Sequence, residues 1–530
     1  MEQILKSALD ANHPSYSTAH ETRKRHYHNE HCPCNKHETE VDRICNCGSD
    51  LTRPPEFQIS CFVFATTENH SHVTSKKILS LKKKVTEVFY PFNEPYSSLR
   101  FNYNKRYNIY PVAVVRAHEI DDIVSTINFC RKTGIPIRAR GGTHSYQPAS
   151  LVNFGVVVDQ RPRNKIVEID CEHRMATIQA GAVLGPVIDE LAKENLFIPF
   201  GTCATNGLAG LSLGGGIGFF LREYGLTLDS LLDMKVVLSD GCIVHSNYDE
   251  NSDLFGALRG AGGGNYGIVT DFTFKIRKAD WVTIFIMNFD FKDTKPVFKV
   301  WQNWAPFTDT KLTSELNIHN RFQPVNVTGQ LLPGKSPKAD QKLLFKLLQP
   351  LIDLGLQKEF SIKTVSLKEA AEFFGEGSYA RPPFFYNQSF FNFRPLPDEA
   401  IDIIIHFMGL LREEQSFHKT ECDALGGNFS KIPSDATAFP SRNAIHWFQF
   451  TSLWDTEDQE KENVAWLNSY YGALKPFFPE NRKYVNALDY NVSRDSALHS
   501  YYDGNLPRLI NIKKIYDPTN FFNFEQSIPV

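Results

Sequence analysis

No apolar run in the sequence reaches the roughly eighteen residues that a bilayer-crossing helix needs, so no transmembrane helix is expected. The first residues, MEQILKSALDANHPS, lack the charged start and apolar stretch of a secretory signal, and they are too acidic for a mitochondrial presequence. An intracellular protein is the expectation. An excess of either charge is also missing: 57 basic residues stand against 60 acidic ones, leaving a net charge of −3. That balance offers no electrostatic footprint for nucleic acid, so the expected partners are small molecules, with neither nucleic acid nor membrane among them. Cysteines are few and uneven. Of ten, six are scattered singly and four, Cys32, Cys34, Cys45 and Cys47, cluster near the start.

What is present points to a folded chain with more than one core. The length of 530 residues exceeds what one compact core organises, and 42% hydrophobic residues with 41 Phe exclude a disordered chain. Residues 1–80 are polar, rich in His and Lys, and carry no sustained period, so they read as an extension. Further on, Ile120, Ile123, Val124, Ile127 and Cys130 fall on one helical face with Gly134 as the C-cap. Strands are expected at 135–140, 155–159, 165–170 and 175–180, and a helix opening at Pro186. Ser239-Asp240-Gly241 marks a hairpin turn. In 268–276 the even positions are apolar except Thr270, giving a strand with one buried face. Beyond about 280 long alternating stretches appear, with one strong helix after Ser336-Pro337, and a second unit is placed there.

Two glycine-rich loops stand out, Arg140-Gly-Gly-Thr-His-Ser-Tyr146 after a strand and Gly201-Thr-Cys-Ala-Thr-Asn-Gly207 running into Leu213-Gly-Gly-Gly-Ile-Gly218. Glycine lets backbone N–H groups close on an anion, so either loop suits a pyrophosphate. The dinucleotide spacing G-x-G-x-x-G is not met around Gly216 and Gly218, because Leu221 stands at the third position. Taken singly, Cys203 is a small buried hydrophobe and His144 a loop cap.

Together, RGGTHSY and, sixty residues on, GTCATNGLAGLSLGGGIG resemble the FAD-binding core of the vanillyl-alcohol oxidase superfamily, and most closely its berberine-bridge subfamily. REYGLTLD at 222–229, DLFGALRGAGGGNYGIVT at 253–270 and the C-terminal YYDGNLPRLINIKKIYDPTNFFNFEQSIP extend the resemblance over 85–530. It implies an α+β protein: a PCMH-type FAD-binding domain of two α/β subdomains at 85–280, a substrate domain with an antiparallel sheet covered by helices at 281–480, and a segment 481–530 returning to the FAD domain. It also implies an FAD joined covalently to His144 and Cys203. The cofactor-binding positions it carries over are Arg140, Gly141, Gly142, Thr143, His144 and Ser145; Gly201, Cys203, Gly207, Gly210, Gly214 and Gly218; and Gly267, Ile268, Val269 and Asn523. Departures from the pattern are Thr143 in place of glycine, expected to bond the pyrophosphate, Ala204 in place of proline, and Asn206 where an aliphatic residue lines the oxygen pocket.

The implied reaction is hydride transfer from an alcohol or sugar-like hydroxyl carbon to flavin N5, with reoxidation by oxygen or another acceptor. The segment Lys483-Tyr-Val-Asn-Ala-Leu-Asp489 resembles the family's YxNY motif. It makes Tyr484 the catalytic base, sharing one side of a strand with Asn486. Gly426-Gly-Asn-Phe-Ser-Lys-Ile-Pro433 resembles the strand crossing the flavin, and no carboxylate base is found at a clear match. His446, Trp447 and Gln449 are candidates to line the pocket or to pack in an ordinary strand. The alternative class is a flavin-bearing protein of slight redox activity whose N-terminus recruits a partner. For Cys32, Cys34, Cys45 and Cys47, a Zn²⁺ site, disulfides and no defined structure all stay open, since one intervening residue is unusual in a zinc knuckle.

Overall fold

The computed structural model describes residues 75–320, 323–375, 384–410 and 416–530. The four N-terminal cysteines and their zinc reading lie outside the described residues. The first described helix, Ser75–Leu79, already places Ile78 in a core together with Leu81.

Four strands come first: β1 (Val88–Phe89), β2 (Ala113–Arg116), β3 (Ile137–Arg140) and β4 (Val156–Asp159). They form one sheet in the order β1-β2-β4-β3, with β4 parallel to both β2 and β3. The helix Ile120–Thr133 is the crossover that parallel pairing requires. Gly134 ends it at φ 73°, a left-handed turn that glycine accepts without strain.

Next are β5 (Ile166–Asp170), β6 (Met175–Gln179), β7 (Leu196–Phe197), β8 (Leu231–Val237), β9 (Ile243–Asn247), β10 (Ile268–Lys275) and β11 (Arg277–Lys278). Five of these make an antiparallel sheet, β5-β6-β10-β8-β9, and β7 pairs with β11. The even positions of β10, Ile268 to Phe274, are buried, as its alternation demands. The helix read from Pro186 begins two residues earlier and spans Leu184–Ala192.

The last seven strands are β12 (Val282–Phe289), β13 (Leu312–His319), β14 (Val325–Leu331), β15 (Gln357–Val365), β16 (Phe384–Asn392), β17 (Ser416–Ala424) and β18 (His446–Trp454). They form one antiparallel sheet, β15-β12-β14-β13-β17-β18-β16. Side chains alternate across it. Cys422, Ala424, Phe448 and Phe450 pack into a core with the helices Thr294–Trp304, Asp398–Gly409 and Glu460–Leu474. Their neighbours Glu421, Asp423, Trp447 and Gln449 therefore project from the opposite face. His446 falls on the helix side, fully buried with its ring 5.2 Å from Trp301, so it does not line the pocket with Trp447 and Gln449.

Two other expectations change. Residues 481–492 form turns rather than a strand, and Gly426 and Gly427, both at positive φ, turn the chain into a short 3-10 helix, Phe429–Lys431, rather than a strand. In addition, Gly329 to Ser336 has the spacing G-x-x-x-x-G-K-S of a phosphate loop, which sequence reading missed. Its groups are spent internally: Gly329 lies within β14, Gly334 donates its N–H to Asp340 and Ser336 caps the helix Pro337–Leu347.

The C-terminal segment packs back on residues 214–266. Lys513 donates to Asn265 O, Ile528 N–H to Asn265 Oδ1 at 2.9 Å, and Tyr502 OH to Ala261 O at 2.7 Å.

Candidate active site

The two glycine loops interlock. A Cβ on Gly142 would lie 2.3 Å from both Cα and N of Gly207, so the backbones touch where no side chain fits. Along Gly141–Ser145 the backbone N–H groups find no backbone acceptor among the described residues. Such a run suits an anion, the pyrophosphate of a dinucleotide included. Thr143 sits at φ 67°, the left-handed region that favours the glycine it replaces, and its carbonyl accepts the N–H of Tyr103 at 2.9 Å.

His144 follows this strained residue. Tyr103 lies flat on its imidazole, ring centroids 4.1 Å apart, and burial pushes its pKa down to about 4, so the ring is neutral near pH 7. Cys203 is a half-buried thiol outside any disulfide, within electrostatic reach of Tyr146, two residues past His144. His144 is thus in the neutral, nucleophilic form, and Cys203 stands on the loop that interlocks with its own.

Other carried-over positions play different parts. Arg140 is buried with its guanidinium 2.7 Å from Asp159, which anchors the loop root instead of presenting charge to a phosphate. Gly218 and Gly267 pack against the backbones at Phe200 and Val237. Ile268 and Val269 lie in β10, and Ser145 donates to Gln147 O. Gly201 packs on Leu211, while Gly210 faces open space. Asn523 is exposed, its amide donating to Asn520 O.

Tyr484 is buried against Gly214–Gly216. Its oxygen accepts the Gly216 N–H at 2.7 Å and the Asn486 amide at 3.0 Å. Asn486 reaches it because 484–487 is a turn, closed by Ala487 N–H to Tyr484 O at 2.9 Å. Those two donors favour the phenolate, but burial outweighs them and the pKa is pushed up to about 12. Trp447 and Phe391 meet the ring edge-on at 5.3 and 6.1 Å, which places the open face of the seven-stranded sheet directly over it.

That face carries what sequence reading missed. Glu315, Glu421 and Asp423 bring carboxylate oxygens within 4.8 Å of one another, with Lys419 bonded to Glu421. Burial, then repulsion from Glu421 and Glu315, holds the Asp423 carboxyl well above its usual range, and burial raises Glu315 to about 7. Around them Asn317 Oδ1, Asp423 Oδ2, Asn387 Oδ1, Ser389 Oγ and Trp447 Nε1 are buried without a partner among the described residues. The only sequence signal was the alternation of Lys419, Glu421 and Asp423 with His418, Thr420 and Cys422, charged on one face only.

Residues 111–247 match the model of the FAD binding domain family and 483–529 that of the berberine and berberine-like family. An FAD-linked oxidoreductase of Bacillus subtilis, YgaK, is 34% identical over 454 residues, 84% of this chain and 98% of that relative. A glucooligosaccharide oxidase of Sarocladium strictum is 30% identical over 79% of this chain and 87% of its own. Among solved structures, a glucooligosaccharide oxidase from Acremonium strictum, whose FAD is described as 6-S-cysteinyl, 8α-N1-histidyl, superposes with TM-score 0.78 at 26% identity. The superposition covers 86% of this chain and 99% of that one. Among the described residues no helix is long and apolar enough to cross a membrane.

Proposed function

The chain belongs to the berberine-bridge-like FAD-linked oxidoreductases, and from that premise we propose that it oxidises a hydroxyl-bearing carbon of a sugar-like substrate with an FAD tethered to His144 and Cys203. It is an FAD-dependent enzyme acting on CH–OH groups. When bound, FAD supplies a two-electron acceptor for hydride. In this reading residues 85–280 and 481–530 surround the cofactor and 281–480 cover it with the substrate.

The residues fit that cofactor. The N–H run of Gly141–Ser145 and the interlocked Gly142 and Gly207 suit a pyrophosphate, while a neutral imidazole and a thiol outside any disulfide supply two points of attachment. Thr143, at a left-handed φ, contributes its backbone to this turn.

The observation that carries the substrate class is the unpaired polar face of the sheet opposite Tyr484. Buried polar atoms without partners are costly, roughly 1–3 kcal/mol each, and Asn387, Ser389, Asn317 and Asp423 collect on one surface. A polyhydroxylated molecule satisfies such a surface in a way an apolar alkaloid or a simple alcohol does not. The similarity to glucooligosaccharide oxidases of Sarocladium strictum and Acremonium strictum supports the same class.

Loss of hydride from carbon is eased when the hydroxyl proton leaves too. Tyr484 is aligned to take it, since Gly216 N–H and Asn486 stabilise negative charge on its oxygen. A phenol whose own pKa is about 12 is a poor base at neutral pH unless its proton has an outlet. Asp423 lies within electrostatic reach of Tyr484 and keeps one oxygen unpartnered; held well above the usual carboxylate range, it is protonated near neutral pH and suited to donate to a substrate oxygen rather than to take the phenol's proton. Oxygen or another acceptor takes the electrons; Asn206, on the second loop beside Gly142, is where that choice is expected to be made.

Two measurements test this reading. Peptide mass spectrometry of the denatured protein should find flavin bridging the His144 and Cys203 peptides. Anaerobic mixing with mono- and oligosaccharides should bleach the flavin. Full retention of colour across that panel, with bleaching by a simple alcohol instead, refutes the substrate class.

A further inference from the structure

Tyr103 lies outside every motif that carries the family resemblance, yet it touches His144 more closely than any other ring does. The planes are 17° from parallel with centroids 4.1 Å apart. A face-on stack of this kind fixes the plane of the imidazole while leaving the in-plane nitrogen lone pairs open. The Tyr103 backbone is fastened to the same loop, through its N–H to Thr143 O at 2.9 Å.

The next residue fastens this contact to the sheet. Asn104 is 2% exposed and its side chain acts as an extra rung on β16, an edge strand. It donates to Phe385 O at 3.0 Å and accepts from Phe385 N at 3.3 Å, while also donating to Tyr146 O at 2.9 Å. The Phe385 ring in turn stands edge-on to Tyr146 at 5.1 Å and tilted against Tyr103 at 6.0 Å. His144 is therefore held between its own loop and a strap that is anchored on the substrate-side sheet.

We propose that Tyr103, held by Asn104 on the edge strand, is a positioning residue for covalent attachment of the flavin to His144. The proposal rests on the reading that His144 carries the flavin. Attachment forms one bond, between a ring nitrogen and the flavin 8α-methyl carbon, and breaks one methyl C–H and one imidazole N–H. The two protons and two electrons released pass to dioxygen, which leaves as hydrogen peroxide. Neutrality of the imidazole at working pH leaves a lone pair for this bond, and the stack fixes the direction in which it points.

The test uses the full chain with Cys203→Ala, so that any covalent flavin is histidyl. In that background Tyr103→Phe keeps the stack, Tyr103→Leu keeps bulk without it, and Asn104→Ala releases the strap. Read as acid-stable flavin per total flavin and as flavin mass on the His144 peptide, Tyr103→Phe should match the parent. Tyr103→Leu and Asn104→Ala should fall on the order of tenfold or more, with total flavin and melting temperature held. Parental levels of histidyl flavin in Tyr103→Leu overturn the proposal and leave the tether reading standing. Absence of histidyl flavin from the Cys203→Ala parent overturns both. A Tyr103→Phe variant that loses the linkage as fully as Tyr103→Leu overturns the stacking role, because the hydroxyl rather than the ring would then be responsible.

Discussion

The backbone N–H of Gly216 donates to the phenol oxygen of Tyr484 across 2.7 Å, although 268 residues separate them in sequence. This bond and the Asn486 amide offset part of the burial that raises the phenol. Tyr484→Phe should therefore lower kcat by about 10²-fold or more while leaving flavin content unchanged. Asn486→Ala should move the ascending, acid-side limb of the kcat/KM profile upward in pH, because one donor to the phenolate is lost. Steady-state rates from pH 5 to 10 check both.

Gly142→Ala places a Cβ 2.3 Å from the Gly207 backbone, which cannot yield without parting the loops. A loss of flavin with about 2 kcal/mol of stability is expected. The contrast is Gly210→Ala, in a helix with nothing within 4 Å of the added carbon, which should raise flavin-free stability by about 1 kcal/mol. Urea midpoints of flavin-depleted protein separate the two.

Thr143 holds φ 67°, a conformation costing a β-branched residue roughly 1–3 kcal/mol. Thr143→Gly relieves it but adds freedom to the unfolded chain, roughly 0.4–1 kcal/mol. The net expectation is equal or higher stability, by up to about 2.6 kcal/mol. A clear fall in urea midpoint would mean that the Thr143 side chain contributes more than its backbone strain costs.

The carboxylate cluster and the buried histidines set opposite pH slopes. Glu315 rises from 4.5 to about 7 on folding, so across that interval the folded protein holds a proton the unfolded chain has released. Stability due to this group is full below 4.5 and declines as pH rises through 7. Glu315→Gln should flatten that decline and restore roughly 2 kcal/mol at pH 8. His446 is lowered from 6.5 to about 3 by burial beside Trp301. Its folded form resists protonation, so stability is full above 6.5 and is lost as pH falls toward 3. His446→Phe, similar in shape and unable to charge, should reduce that acid loss. Melting temperatures between pH 3 and 9 decide both signs.

The family and its cofactor loops were legible because they are local: RGGTHSY and GTCATNG each carry their glycines, histidine or cysteine within a few residues, as do the hairpin at Ser239-Asp240-Gly241 and the helix ending at Gly134. The alternation of 268–276 likewise fixed its own buried face. Which side of β17 faces the cofactor was not local. Lys419, Glu421 and Asp423 read only as charges on a strand until β17 and β18 paired and the helices covered His418, Thr420 and Cys422. His446 and Trp447 are neighbours in the chain, and strand alternation sends them to opposite sides of one sheet. Asn486 joins Tyr484 through a turn rather than a strand, and Tyr103 meets His144 from 41 residues away. Local covalent order thus determined the loops that would hold the flavin. Long-range packing alone decided which rings and carboxylates surround them, because a side chain's neighbours across a sheet or between layers are set by partners that its own sequence window does not contain.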